Sequence, residues 1–308
     1  MKVFFDGVDF GSRSGPNTFA HRLAVQLSLM GHTIADPDDY DVHLAFIEPT
    51  RQTLPSKPLV QRLDGIWFKP GEFATKNVGI KRCYDAASAV VWQSKFDRCM
   101  TTRWWGHPRS GKIIRNGVLK RSVAVDPALQ QLTNKYDKVF ACGANWHAQK
   151  RLKANVDLYM HLRDKHYLSS CLIILGAHPD VRVADPHVFY ADSVPEDVYL
   201  QVYSIADWML HLAWLDHCPN VVIEAMSQGT PVICSEDGGT RELVELCGGI
   251  IIKERSRYSY ELADYDNPPN IDVTQVGLLP DLHIDISGKL DIETVASEYD
   301  KLFKELVR

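Results

Sequence analysis

Short apolar runs alternate with polar turns and helix-length amphipathic stretches along nearly the whole chain. It opens with KVFFDG, then the polar loop VDFGSRSGPN, then TFAHRLAVQLSLMGH, in which Phe19, Leu23, Leu27 and Met30 fall on one helical stripe. That pattern predicts a strand, a glycine-containing loop and a helix, with Asn17 as its cap and Gly31 as its stop. YDVHLAFIE, KPLVQRLDG, ASAVVWQS and KIIRNGV add further short β-rich runs between polar turns. A second series begins at KVFACGAN and continues through the helix LKANVDLYMHLRDK, the strand CLIILGAH, the helix EDVYLQVYSIA, the strand DWMLHLA, the helix NVVIEAMSQG and the strand PVICSEDGG. Strands that alternate with helices imply mostly parallel, doubly wound α/β sheets. Residues 253–290 read as irregular, and DIETVASEYDKLFKELVR closes the chain as an amphipathic helix.

At 308 residues the chain is long for one core and comfortable for two. The polar, mixed stretch at 118–135 marks the boundary, giving an N-terminal domain of residues 1–118 and a C-terminal domain of residues 119–308. A net charge of −5 lacks the basic excess of a dedicated nucleic-acid binder, so a small molecule or a glycan is the expected partner. Seven cysteines without a C-x-x-C pair suggest neither a zinc site nor a disulfide framework, which fits a reducing cytosol. The N-terminal MKVFFDGVDF lacks the build of a signal peptide, and no run approaches the ~18 apolar residues of a membrane span. The expected location is cytoplasmic, with peripheral membrane contact left open.

In an open α/β sheet, ligands bind beyond the carboxyl ends of the strands. The stretch HLAWLDHCPNVVIEAMSQGTPVICSEDGGTRELV places Asp216 in such a loop and Glu224 eight positions later inside the helix that follows. The start of that helix, at Asn220 and Val221, offers N–H groups and a positive dipole end to a phosphate. An acid one turn farther in suits a ribose diol, and an acid in the loop suits a sugar hydroxyl. Gly238 and Gly239 form a turn that lets backbone approach a ligand.

Asp216-x7-Glu224, EAMSQGTPV, and Gly238, Gly239 and Glu242 together resemble the signature of the retaining GT-B glycosyltransferases of family 4, the group 1 type. The likeness covers most of the C-terminal half. It extends more loosely to the N-terminal half through Gly11, Gly15, QRLDG, VVWQS and IRNGV. It implies two Rossmann-like domains facing across a cleft, with the final helix crossing back onto the N-terminal domain. It also implies transfer of a sugar, with retention, from a nucleotide-diphosphate donor such as a UDP- or GDP-sugar to a glycan or other hydroxyl acceptor, with no cofactor or metal required. By the same resemblance Glu224 would bind the ribose, Asp216 the transferred sugar, and Asn220, Val221, Gly11 and Gly15 the diphosphate. Lys150 of CGANWHAQKRL matches the family lysine that faces the diphosphate, while Asn145 stands where an arginine is usual; His147 and Arg151 are the nearby basic residues able to replace it. Asp64 of RLDG is the acid expected near the acceptor. Asp216 is one methylene shorter than the family's glutamate.

Three other motifs lose to blander readings. GHPRSGKI at 106–113 approaches a phosphate-binding loop, but Ile113 stands where a hydroxyl residue would hold magnesium and a strand-like run follows where a helix is required. DPDDYD contains Asp-x-Asp but reads as a turn. RWWGHPR suits glycan stacking or a membrane surface, yet its two tryptophans read first as packing. Two rival functions stay open: a nucleotide-sugar-binding protein without turnover, motivated by Asn145 and Asp216, and a nucleotide-sugar epimerase on the same fold.

Overall fold

The computed structural model describes residues 1–12, 14–50 and 57–308; Arg13, in the first polar loop, lies outside them. The chain divides into two compact units, one of Met1–Leu119, Ser259–Ala263 and Ser287–Arg308, the other of Lys120–Tyr258 and Asp264–Ile286.

The first unit contains β1 (Lys2–Asp6), α1 (Gly15–Leu29), β2 (Thr33–Ile34), β3 (Val42–Phe46), β4 (Leu59–Leu63), α2 (Phe73–Lys76), α3 (Val78–Ala86), β5 (Ala89–Trp92), α4 (Lys95–Trp105) and β6 (Gly111–Ile113). Its strands are all parallel in the order β2-β1-β3-β4-β5-β6. The alternate residues Val3 and Phe5 of β1 pack with Val42 and Leu44 of β3 and with Phe19, Leu23 and Leu27 of α1. The terminal helix Ile292–Val307 completes this core with Val295, Tyr299 and Phe303. Burial of such side chains is worth about 1.5–3 kcal/mol each, which is what holds a helix from the far end of the chain in place.

α1 starts earlier than Asn17 predicts. Ser14 occupies the cap position and Pro16 the first turn, where the missing proline N–H costs nothing. The Asn17 carboxamide instead accepts from the Asp9 N–H at 3.0 Å. Gly31 does end the helix, with φ +86°, but Met30 is exposed and leaves the apolar stripe one turn short. α4 has no apolar stripe strong enough to stand out in the sequence; its start is set by the Ser94 hydroxyl, which accepts from the Asp97 N–H at 3.1 Å. Trp104 and Trp105 at its end pack on Phe73 and Tyr84, and GHPRSGKI runs into β6 with no helix after it.

The second unit contains α5 (Pro127–Lys135), β7 (Lys138–Gly143), α6 (Leu152–Lys165), β8 (Ser170–Leu175), β9 (Val188–Ala191), α7 (Glu196–Ile205), β10 (Trp208–His211), α8 (Asn220–Ser227), β11 (Val232–Ser235), α9 (Thr240–Cys247) and β12 (Gly249–Ile252). Here too every pairing is parallel, in the order β12-β11-β10-β7-β8-β9. α5 lies inside the stretch that reads as a boundary, because it buries no residue and carries no core stripe. Phe140, Leu172, Ile174 and Leu210 of the sheet pack against Val156, Tyr159 and Leu162 of α6. Chain order reverses between β7 and β10, the place beyond the strands' carboxyl ends where open α/β sheets bind ligands.

Candidate functional site

Lys150 follows β7 and Asp216 follows β10, so the two loops that leave the reversal point carry the lysine and the loop acid. Lys150 ends a short 3-10 turn, Ala148–Lys150, and its Nζ lies 2.5 Å from Asp216 Oδ2. Their side chains are 19% and 13% exposed, so both are mostly buried but still reach solvent. Backbone and side-chain bonds lock the loops together: Trp214 N–H donates to Gln149 O at 2.9 Å, and the Gln149 amide to Leu215 O at 3.3 Å. Buried Asn155 of α6 fastens the same corner, donating to Lys150 O and Arg151 O and accepting from the Leu212 N–H.

Asp216 has a third neighbour. Nε2 of His211, buried at the end of β10, lies 3.3 Å from the same Oδ2. Burial works against the Asp216 charge, but Lys150 and His211 outweigh it and hold the carboxyl well below the usual carboxylate range. His211 is itself pushed down by burial, against the pull of Asp216.

Gly238 and Gly239 act on Asp216 through the backbone. Asp216 and Gly238 form a parallel bridge, and the Gly239 N–H donates to Asp216 O at 2.6 Å. Gly238 has φ +125°, and a Cβ there would stand 2.9 Å from Asp216 O and 3.0 Å from its N. Only glycine allows this approach. Leu215 and Arg151, at φ +56° and +51°, are non-glycine residues in the left-handed region on either side of the Lys150–Asp216 pair. Such backbone persists where its surroundings over-determine it, and here both residues hold loop ends that carry the pair.

α8 begins at Asn220 with Pro219 before it, so its N-terminal turn, with Asn220 and Val221, follows Asp216 by four residues. Glu224 lies one turn in and is buried, with Ala225 and Met226 buried beside it. Its charge reaches Tyr199 and Tyr203 of α7: burial first, then Glu224, push the Tyr203 hydroxyl well above its ordinary value. A Cβ at Gly143, the last residue of β7, would meet the Tyr203 hydroxyl at 2.5 Å, so the strand end and α7 also touch only through a glycine.

The two residues offered as substitutes for the usual arginine differ. His147 is exposed one residue before the 3-10 turn, and Asn145 is exposed two residues before that. Arg151 is buried, and its guanidinium is taken by Glu254 at 2.7 and 3.3 Å and by Pro269 O at 2.7 Å. That guanidinium is committed to protein groups.

In the first unit, QRLDG, VVWQS and IRNGV end β4, β5 and follow β6, and the structure joins them in one network. Arg62, 1% exposed, donates to Asp64 through Nη1 and to Asn116 Oδ1 through Nη2 at 2.6 Å. Gln93 donates to Asp64 Oδ1 at 2.6 Å and accepts from Asn116 at 3.1 Å. The guanidinium lies over the Phe19 ring at 4.4 Å. Asp64 is therefore anchored through one oxygen and held in one orientation. Gly15 is the first residue of α1, and the Gly11 N–H is capped locally by Asp9 Oδ1 at 2.9 Å.

Residues 130–262 match the family model described as Glycosyl transferases group 1. That segment spans β7 to β12 and holds Lys150, Asp216, Glu224 and the Gly238–Gly239 turn. Among solved structures, the chain is similar to Alr3699/HepE from Anabaena, described in complex with UDP and glucose, at 17% identity over 99% of this chain and 100% of that one, with a TM-score of 0.69. It is similar as well to sucrose-phosphate synthase from Thermosynechococcus elongatus, at 13% identity over 99% of each chain and a TM-score of 0.66. WaaG, described as a glycosyltransferase of lipopolysaccharide biosynthesis, matches at 11% identity over 100% of this chain and 94% of that one, with a TM-score of 0.59. The fold is thus that of the GT-B glycosyltransferase structures, two parallel-sheet Rossmann-like units. No curated protein matches the chain by sequence.

Sequence reasoning missed His211, Asn155 and Glu254. Histidine at the end of an apolar strand and asparagine in a helix carry no pattern of their own; only the pairing of β7 with β10 places them at this corner. Among the described residues, no group of three or more His, Cys, Asp or Glu is arranged to hold a metal ion, and no helix is long and apolar enough to cross a membrane.

Proposed function

We propose that the protein is a retaining glycosyltransferase of family 4 that moves a sugar from a nucleotide-diphosphate donor to a glycan or other hydroxyl acceptor. The observation that carries this reading is the meeting of Lys150 and Asp216, 66 residues apart in sequence, at 2.5 Å at the strand-order reversal of the second sheet, with α8 starting four residues after Asp216. A cation and a helix N-terminus converge there with an acid suited to a sugar hydroxyl.

In the proposed reaction the acceptor oxygen forms a bond to the anomeric carbon as the bond from that carbon to the diphosphate oxygen breaks. The acceptor proton passes to the departing diphosphate on the same face, so configuration is retained. Negative charge grows on the leaving group, and fixed dipoles and cations aimed at it supply the main stabilisation. Lys150 and the first turn of α8, at Asn220 and Val221, take that role. Asp216 engages the transferred sugar, Glu224 the ribose, and Gly238 and Gly239 let the backbone close on the donor. Asp64, oriented by Arg62 and Gln93, engages the acceptor. The neighbours described with UDP and UDP-glucose favour a UDP-sugar among the possible donors.

A second reading is a nucleotide-sugar-binding protein without turnover. It is favoured by Asn145 in place of the usual arginine together with the commitment of Arg151 to Glu254. Thermal melts of wild type and Glu224→Ala with UDP, GDP, ADP and their sugar conjugates test donor binding. A ligand at a hundredfold excess over its dissociation constant stabilises the native state by about 2.7 kcal/mol. One nucleotide series is expected to raise Tm, with the shift lost in the variant; no shift with any nucleotide overturns both readings. Release of nucleoside diphosphate on incubation with the donor then separates the enzyme from the silent binder.

A further inference from the structure

Lys150 is the lysine proposed to meet the diphosphate, yet it lies 2.5 Å from Asp216, the acid proposed to meet the sugar. The lysine ammonium is a compact charge on a flexible stem, and a diphosphate offers it more negative charge than one carboxylate does. Its turn toward the donor withdraws the nearest cation from Asp216. A mostly buried carboxylate deprived of its partner is strongly destabilised, and it would swing or take up a proton just when it must hold a sugar hydroxyl.

One group is already aimed at the same oxygen. His211 Nε2 lies 3.3 Å from Asp216 Oδ2, and the imidazole is buried on β10, whose His211 pairs with Cys234 of β11. Strand residues so enclosed cannot follow a loop, whereas Lys150 ends a short turn and has 19% of its side chain exposed. We propose that His211 is the positioning residue for Asp216, donating from Nε2–H and holding the carboxylate toward the transferred sugar once Lys150 has moved to the diphosphate. The proposal rests on the donor-site reading above. It explains how an acid one methylene shorter than the family's glutamate is kept in place: it is tied from the strand below.

The test compares His211→Gln, whose amide N–H can stand near the imidazole Nε2, with His211→Leu, which removes the donor. Steady-state turnover of the accepted nucleotide sugar, binding of the free nucleoside diphosphate by calorimetry, and 15N spectra of the imidazoles are measured on the full chain. His211→Gln is expected to keep kcat within about threefold, and His211→Leu to lower it by about thirtyfold or more, with nucleoside diphosphate affinity within about twofold for both. The signal lost in the variants should be that of an Nε2-protonated tautomer. Wild-type kcat in His211→Leu, an equal loss of kcat and diphosphate affinity, equal loss in both variants, or an Nδ1-protonated tautomer overturns the proposal while leaving the donor site standing. Absence of nucleotide binding by the wild type overturns the donor-site reading, and this proposal with it.

Discussion

Each sheet reverses its strand order once, and at both reversals an aspartate contacts a histidine. In the first, between β1 and β3, Asp6 Oδ2 lies 2.9 Å from His43 Nε2; in the second, between β7 and β10, Asp216 Oδ2 lies 3.3 Å from His211 Nε2. The remaining partners differ. Asp6 sits on the strand, and its other oxygen accepts from the Gly7 N–H at 2.8 Å, the Thr50 N–H at 3.1 Å and the Thr50 hydroxyl at 2.6 Å. With both Asp6 and His43 side chains 2% exposed, this arrangement is a clasp that fixes the loop after β3. Asp216 sits on the loop itself, and its strongest partner is a lysine with a flexible stem. The same pair of residue types makes a closed fastening when backbone and a short hydroxyl complete it and, on the proposal above, an exchangeable site when a long cation does. What distinguishes structure from candidate chemistry here is which partner is able to leave.

The largest expected effect sharpens the open end of that contrast. Gly238→Ala places a Cβ against Asp216 backbone at a φ of +125°, so the loop after β10 must shift. The variant is expected to lose about 2 kcal/mol or more of stability and at least about tenfold of any donor-dependent turnover. Chemical denaturation alongside a nucleoside diphosphate release assay checks both; wild-type behaviour in both would show that the Asp216 loop tolerates displacement.

A smaller effect tests the clasp. Burial pushes Asp6 up, but hydrogen bonds from His43 and Thr50 prevail and hold it at about 2. Its folded value is thus below its unfolded value. The stability it contributes is complete above about pH 4 and is lost as pH falls toward 2, amounting to about 2 kcal/mol. Asp6→Asn should lower the melting temperature at pH 7 and converge on wild type toward pH 2, with wild-type affinity for nucleoside diphosphate. A parallel loss of nucleotide affinity in the folded variant would break the assignment of Asp6 to structure alone.

The smallest effect has the opposite sign. Burial, followed by Glu254, raises Asp237 to about 6. With the folded value above the unfolded one, its contribution is most favourable below about pH 4 and is lost as pH rises through 6. Asp237→Asn retains an acceptor for the Tyr258 N–H, which lies 3.1 Å from Asp237 Oδ2. It should therefore stabilise the protein by about 1 kcal/mol at pH 8 and be near neutral at pH 4. A destabilised variant at pH 8 would show that the Asp237 charge is needed beside Arg151.

The sequence by itself determined the alternation of strand and helix, because apolar runs of strand length and helical stripes such as Phe19, Leu23 and Leu27 reflect burial that local geometry imposes. It also carried the candidate donor signature, since Asp216, Asn220 and Glu224 lie on one loop and the helix that follows it, and the spacing survives in the fold. Helices without a buried stripe, such as α5, were not legible, and the start of α1 was set by Ser14 and Pro16 rather than by Asn17. Tertiary structure alone decided the rest. Arg62, Asp64, Gln93 and Asn116 come from three motifs that meet only because β4, β5 and β6 are parallel neighbours, so that their carboxyl ends share one edge. The meeting of Lys150 with Asp216 and the fastening of two loops by Asn155 likewise follow from the pairing of β7 with β10, and the commitment of Arg151 to Glu254 from the further run of β10, β11 and β12. A side chain's neighbours across a parallel sheet are set by strand order, which leaves no mark on the residues nearby in sequence.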